Sequence, residues 1–272
     1  MGTGRRVPRL KILHLANGKI VHLANVLRAG VGYNRGRQAR KQGEVVMCFS
    51  AEASFAASSV LAASSIAIAR IPKEKAGIPL SLFPAVFAAH QFIEGILWLN
   101  HDGVLPDAYK AGALYAYAFI AFVLWPIFVP FSAYLIETER KRRIIMLLCQ
   151  GTGLLVGLTL LLSFLRDPLE VSVDCCSLSY HVNAPDLLIA PYLVAVAIPF
   201  LASSRRSLVL FGVAITGSCA AAAILASATT FPSVWCFFAA ILSAGLYVHF
   251  RIAARTTVHQ FSTSAPSGAI AR

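Results

Sequence analysis

The chain has 272 residues, of which 57% are hydrophobic and only 13% charged, with a net charge of +12. Soluble domains carry about 25% charged residues, so this composition excludes an ordinary water-soluble globule and points to lipid as the solvent. Six scattered cysteines without a CxxC pair also exclude a disulfide framework and zinc-finger spacing.

Residues 1–46 come first in chain order and differ from the rest. They hold ten Lys/Arg against one acid, Glu44. Tyr33 is their only aromatic, so the interleaving of a nucleic-acid-binding tail is missing and no nucleic-acid partner is expected. They lack the continuous apolar stretch of a signal peptide and the serines of a transit peptide. Gln42-Gly43-Glu44 can be encoded CAA-GGA-GAG, which contains a bacterial ribosome-binding sequence. The expectation is a basic, disordered leader over 1–46, with translation starting natively at Met47; a genuine basic tail is the alternative.

Seven apolar runs follow, at 51–70, 78–99, 111–136, 144–165, 187–204, 207–229 and 232–250. A bilayer core needs about 20 apolar residues per helix, so the runs predict an all-α, polytopic protein of seven transmembrane helices over 47–255, with a tail at 256–272. The connections sort by charge. Arg70, Lys73 and Lys75 follow the first run, Arg140 to Arg143 the third, Arg205 and Arg206 the fifth, and Arg251, Arg255 and Arg272 the last. The alternate connections hold only Lys110 and Arg166, with six acids. The positive-inside rule then places the C-terminus in the cytoplasm and the start of the first span outside, in a plasma (inner) membrane. A leader of ten bases on the outer side would break that rule, which is a further reason to expect a start at Met47.

From Met47 onward, "MCFSAEASF" (47–55), "HQFIEGILWL" (90–99), "WPIFVPFS" (125–132), "SLSYHVNAP" (177–185) and "FPSVWCFFAA" (231–240) resemble a family of uncharacterised bacterial seven-helix membrane proteins, a domain of unknown function. The resemblance covers most of 47–250, and its most specific parts are the opening and the Glu-Gly-x-x-Trp block. It implies that MCFSA begins the protein. His90 stands where the family usually has Gln before Gln91. The resemblance implies a fold and a membrane address, without an activity.

Ionisable groups inside spans are costly and mark candidate sites. Glu94 lies about five residues, or ~7 Å of helix rise, below the outer end of the second span. His90, Glu94 and Trp98 share one face at i, i+4 spacing, and Cys48 and Glu52 share the same spacing at the outer end of the first span. The outer connection between the fourth and fifth runs adds Asp174, Cys175, Cys176 and His181, and Trp235 and Cys236 open the last run. One of Cys175 and Cys176 is expected to pair with Cys48 or Cys236 in an oxidising exterior. The competing readings are a hydrated or helix-bonded Glu94, an interhelical His90, and Trp98 and Trp235 as an interfacial aromatic belt.

Several functions lack their groups. No lysine occupies the last span for a retinal Schiff base, and no HExxH, GxSxG or Walker pattern occurs. Three readings remain. The favoured one is an outward-facing polar pocket for a small ligand or metal ion, with Cys48, Glu52, Gln91, Glu94, Trp98 and His181 as ligand-binding candidates. Its metal variant uses Cys48, Glu52, His90 and Glu94, a mixed donor set that suits Zn or Cu. The others are a membrane-embedded enzyme with Cys/Glu/His chemistry and a small-solute transporter. The transporter reading is weakened by the lack of an inner-half acid or base. The lipid bilayer is the one partner the sequence names.

Overall fold

The computed structural model describes residues 50–174, 177–225 and 230–264. Among them, helices α1 (Ala51–Ala69), α2 (Lys75–His101), α3 (Asp107–Ile136), α4 (Arg140–Arg166), α6 (Arg206–Ile224) and α7 (Phe231–Arg255) are long and apolar enough to cross a membrane. The remaining apolar helix, α5 (Asp186–Leu201), is shorter. It is a three-residue 3₁₀ turn followed by 13 α-helical residues. Thirteen residues rise only about 20 Å, against a hydrocarbon core of about 30 Å. The basic leader, Met47 and Cys48 lie outside the described residues, as do Cys175 and Cys176.

Local chemistry explains the helix starts. Ser50 caps α1 by accepting from the Ala53 amide at 3.3 Å. Pro79 and Pro84 occupy opening turns within α2, where a missing N–H costs nothing. On the outer surface of α1, Ser59 and Ser64 donate to their i−4 carbonyls, so hydroxyls facing lipid stay satisfied. The exposed stripe Leu148, Leu155, Leu158, Leu162 and Leu165 on α4 would be an aggregation surface in water and is a natural one in lipid.

α3 departs from regular helix for a readable reason. Phe119–Leu124 forms a π-helical turn in which the Trp125 amide donates to the Ile120 carbonyl. The next bond in that register would run from residue 126 to the Ala121 carbonyl, and Pro126 has no N–H. Tyr192 of α5 fills the gap, its hydroxyl donating to Ala121 O at 2.6 Å. One turn on, Pro130 deprives the Pro126 carbonyl of its α-helical donor, and Gly153 of α4 packs there. A Cβ on Gly153 would stand 1.8 Å from Pro126 O, and one on Gly157 would stand 3.2 Å from Val123 O. The Gly-x-x-x-Gly spacing lets the two backbones approach.

One segment differs from the all-helical expectation. β1 (Glu170–Asp174) and β2 (Ser177–His181) form an antiparallel hairpin between α4 and α5, with Val171 opposite Tyr180 and Val173 opposite Leu178. Four successive residues of β2, Ser177 to Tyr180, are buried, and only His181 is exposed. β2 packs on α7, which also touches α1 and α2. The hairpin's backbone groups pair within it, and its inner strand lies against protein. The tryptophans also differ from an aromatic belt: Trp98, Trp125 and Trp235 are all buried in the core.

Candidate functional site

α2 carries the polar residues inward. It is the most buried of the six long helices, and His90, Gln91 and Glu94 are each at most 1% exposed. Their i, i+1 and i+4 positions follow from one inward-facing stripe. Gln91 Nε2 donates to Glu94 Oε2 at 3.1 Å. The Ser233 hydroxyl, from the first turn of α7, donates to Glu94 Oε1 in a short hydrogen bond. Each carboxyl oxygen therefore has one protein donor. The sole ion pair among the described residues is Arg142–Glu139, so Glu94 has no cationic side chain beside it.

His90 begins a column of rings. Its imidazole stacks on Tyr117 of α3 at 4.0 Å, and Tyr117 stacks on Tyr180 of β2 at 4.2 Å with an interplanar angle of 6°. The hairpin thus seals the site with a tyrosine. Glu94 lies within electrostatic reach of both phenols and of the Cys236 thiol. The two hydroxyls lie near each other and near Cys236 without forming a well-aligned hydrogen bond. The His90 ring lies beside the Tyr117 backbone without a well-aligned hydrogen bond, and Gln91 Oε1, Ser54 Oγ and Trp98 Nε1 are buried and unpartnered. Buried polar atoms are nearly always bonded, so this concentration of unpartnered atoms makes the surroundings of Glu94 the candidate site.

Below the polar group lies a small apolar cleft of about 40 Å³. Phe87, Trp125, Val196, Phe200, Trp235 and Cys236 line it, from α2, α3, α5 and α7.

The sequence candidates are distributed unevenly. Gln91 and Glu94 meet in the buried core, and His90 and Trp98 are buried on the same helix. Glu52 is exposed in the first turn of α1, and His181 is exposed, with its Nε2 at 3.1 Å from Ser172 Oγ. Among the described residues no group of three or more His, Cys, Asp and Glu could hold a metal ion; the proposed Zn or Cu set would need Cys48, which lies outside them. Cys236 is a free, buried thiol, so the expected pairing of Cys175 or Cys176 with Cys236 is not made. Ser233 and the two tyrosines are additions that no ionisable-residue scan of the sequence would find. The Ser at 233 sits two residues before Trp235 in the family-like block, which was its only signal.

A second polar centre joins two connections. Glu137, just past α3 and only 4% exposed, accepts from the Thr138 and Glu139 amides, the Ser204 amide and the Ser203 and Ser204 hydroxyls. Burial opposes the charged form, but these donors outweigh it and hold the carboxyl down to about 2 from its ordinary 4.5. Arg142 adds bonds to the Ala202 and Ser203 carbonyls at 2.8 and 3.1 Å.

Together these features define a class, a helical integral membrane protein with a sealed polar core. The chain belongs to the family of unknown function DUF6629, whose model matches residues 47–261. No curated protein and no solved structure matches it.

Proposed function

We propose that the protein is a seven-span plasma-membrane protein of bacterial type, with its C-terminus in the cytoplasm, that binds a small ligand through the polar core at Glu94. In this reading residues 47–255 form the transmembrane unit, 1–46 a basic leader and 256–272 a cytoplasmic tail. The Glu137 clamp supports α5 as a seventh crossing. It ties the α3–α4 connection to the α5–α6 connection, so both basic loops lie at one end of the bundle. With that end cytoplasmic, Glu94, the hairpin and Ser233 face outward, in accord with the charge distribution.

One observation carries the binding assignment. A carboxyl buried to 1% exposure, donated to by Gln91 and Ser233 and facing no cationic side chain, is expensive to keep in a membrane unless it has a task. The test is complementation of a strain lacking the gene. Glu94→Gln, which preserves shape, should reach the membrane at normal level and fail to complement. Full complementation by Glu94→Gln would remove Glu94 from any site. Reporters fused after Arg255 and near Asp107 test the orientation; an external signal from the first would overturn it.

A further inference from the structure

We infer that the ligand of the Glu94 site is a proton, bound by the carboxyl and exchanged with the hairpin side of the membrane. The inference rests on the reading of Glu94 as a binding residue and names what that residue binds. Space and charge narrow the choice. The cleft of about 40 Å³ has none of Glu94, Gln91 and Ser233 in its wall, so it gives a larger ligand no place against the carboxyl. Among the described residues no lysine or arginine is buried, so no fixed cation supports a carboxylate inside the bundle. A carboxyl in that position takes up a proton instead of holding a bare charge.

The polar groups around Glu94 suit both of its states. They are His90 and Gln91 on its own helix, Tyr117 on α3, Tyr180 on β2, and Ser233 and Cys236 on α7; α1 contributes only the Ser54 hydroxyl. A hydroxyl both donates and accepts, so the contact with Ser233 works in either direction. With the proton on Oε1, the carboxyl donates to Ser233 Oγ and accepts from Gln91 Nε2 on Oε2. When the proton leaves, the Ser233 hydroxyl turns and donates to Oε1, while Gln91 stays as it is. The Tyr117 and Tyr180 hydroxyls, within electrostatic reach and without an aligned partner, are further donors for the charged state. The change needs rotation of hydroxyls and no movement of a helix. It is also one-sided. Glu94 lies ~10 Å of helix rise from the hairpin-side end of α2 at His101, against ~28 Å from Lys75. Beyond His90, one turn deeper, α2 presents Phe83 and Phe87, which line the cleft with Trp125 and Phe200 and carry no proton. The Tyr192 hydroxyl there is committed to Ala121 O. Toward the other side stands Tyr180, next in sequence to the exposed His181.

The experiment uses the full chain, reconstituted in one orientation in sealed proteoliposomes. It reads the carbonyl stretch of a protonated carboxylic acid by infrared difference spectroscopy. Glu137 and the exposed carboxyls are ionised at pH 7 and do not contribute to that band. Wild type should show the band at pH 7, and Glu94→Gln should lose it. Glu94→Asp, which keeps a carboxyl, should show it at a displaced frequency, which separates loss of the acid from loss of the fold. A jump to alkaline pH on the hairpin side should bleach the band at least about tenfold faster than the same jump on the other side, where the apolar interior offers no relay. Absence of a Glu94-dependent band at pH 7, a band that survives alkali on both sides, or equal rates from the two sides would overturn the inference. If that happened while Glu94→Gln still failed to complement, the Glu94 site would stand with another ligand; full complementation by Glu94→Gln would sink the site itself.

Discussion

Tyr192→Phe isolates the link between the π-helical turn of α3 and helix α5. The substitution removes one hydroxyl and leaves ring and packing in place. Its partner, the Ala121 carbonyl, belongs to a residue only 3% exposed and loses its donor at 2.6 Å. A buried carbonyl without a donor costs about 1–3 kcal/mol, and interhelical side-chain bonds in membranes reach about 1.7 kcal/mol. The expected loss is therefore about 1–2 kcal/mol, read from reversible unfolding in mixed micelles. The sharper measurement is a double-mutant cycle with Pro126→Ala. Alanine restores an N–H at 126, so Ala121 O gains a backbone donor whether the turn keeps its π register or relaxes to α. In that background Tyr192→Phe should cost at least about 1 kcal/mol less than in the parent. If the two substitutions are additive, the hydroxyl does not compensate for the proline, and the account of the π-helical turn is wrong.

Two further substitutions test the frame. Gly153→Ala places a Cβ 1.8 Å from a backbone oxygen, which no side-chain rotation relieves. It should destabilise by about 3 kcal/mol or more, seen as loss of the folded protein in detergent, whereas alanine at Gly151, with open space around it, should be silent. Glu137→Gln should cost about 2 kcal/mol at pH 7, because it turns an amide toward donors that need an acceptor. Glu137's folded pKa is depressed, so its contribution is complete above 4.5 and declines as pH falls toward about 2. The gap between wild type and Glu137→Gln should therefore narrow across that window; a gap independent of pH would show that the charge is not what the clamp uses.

The helices were the legible part of the fold. The apolar runs at 51–70, 111–136 and 144–165 became α1, α3 and α4 within a few residues, because a membrane helix closes its own hydrogen bonds and its length is written directly in composition. The hairpin was not legible. "EVSVD" and "SLSYH" are each five residues, too short to separate from loop by alternation, and β2 buries four residues in a row instead of every second one. That burial depends on α7 lying against it, a tertiary fact. The Gly153 and Gly157 pair was readable as a close-packing motif, but only Pro126 and Pro130 across the interface show why glycine is needed there.

The site was half legible for a related reason. Spacing on one helix gathers His90, Gln91, Glu94 and Trp98 without any knowledge of the fold, and all four are buried. Adding Glu52 and His181 to them relied on level in the membrane, and level says nothing about azimuth. Glu52 sits on the exposed side of α1, while Ser54, two residues on, is turned inward and buried. What replaces the missing acids is Ser233, 139 positions from Glu94, and two tyrosines, none of which carries charge. A membrane interior penalises ions far more than hydroxyls, so a single carboxyl satisfied by neutral donors costs less to build than a cluster of charges. A scan for ionisable residues therefore finds the anchor of such a site and misses the neutral groups around it.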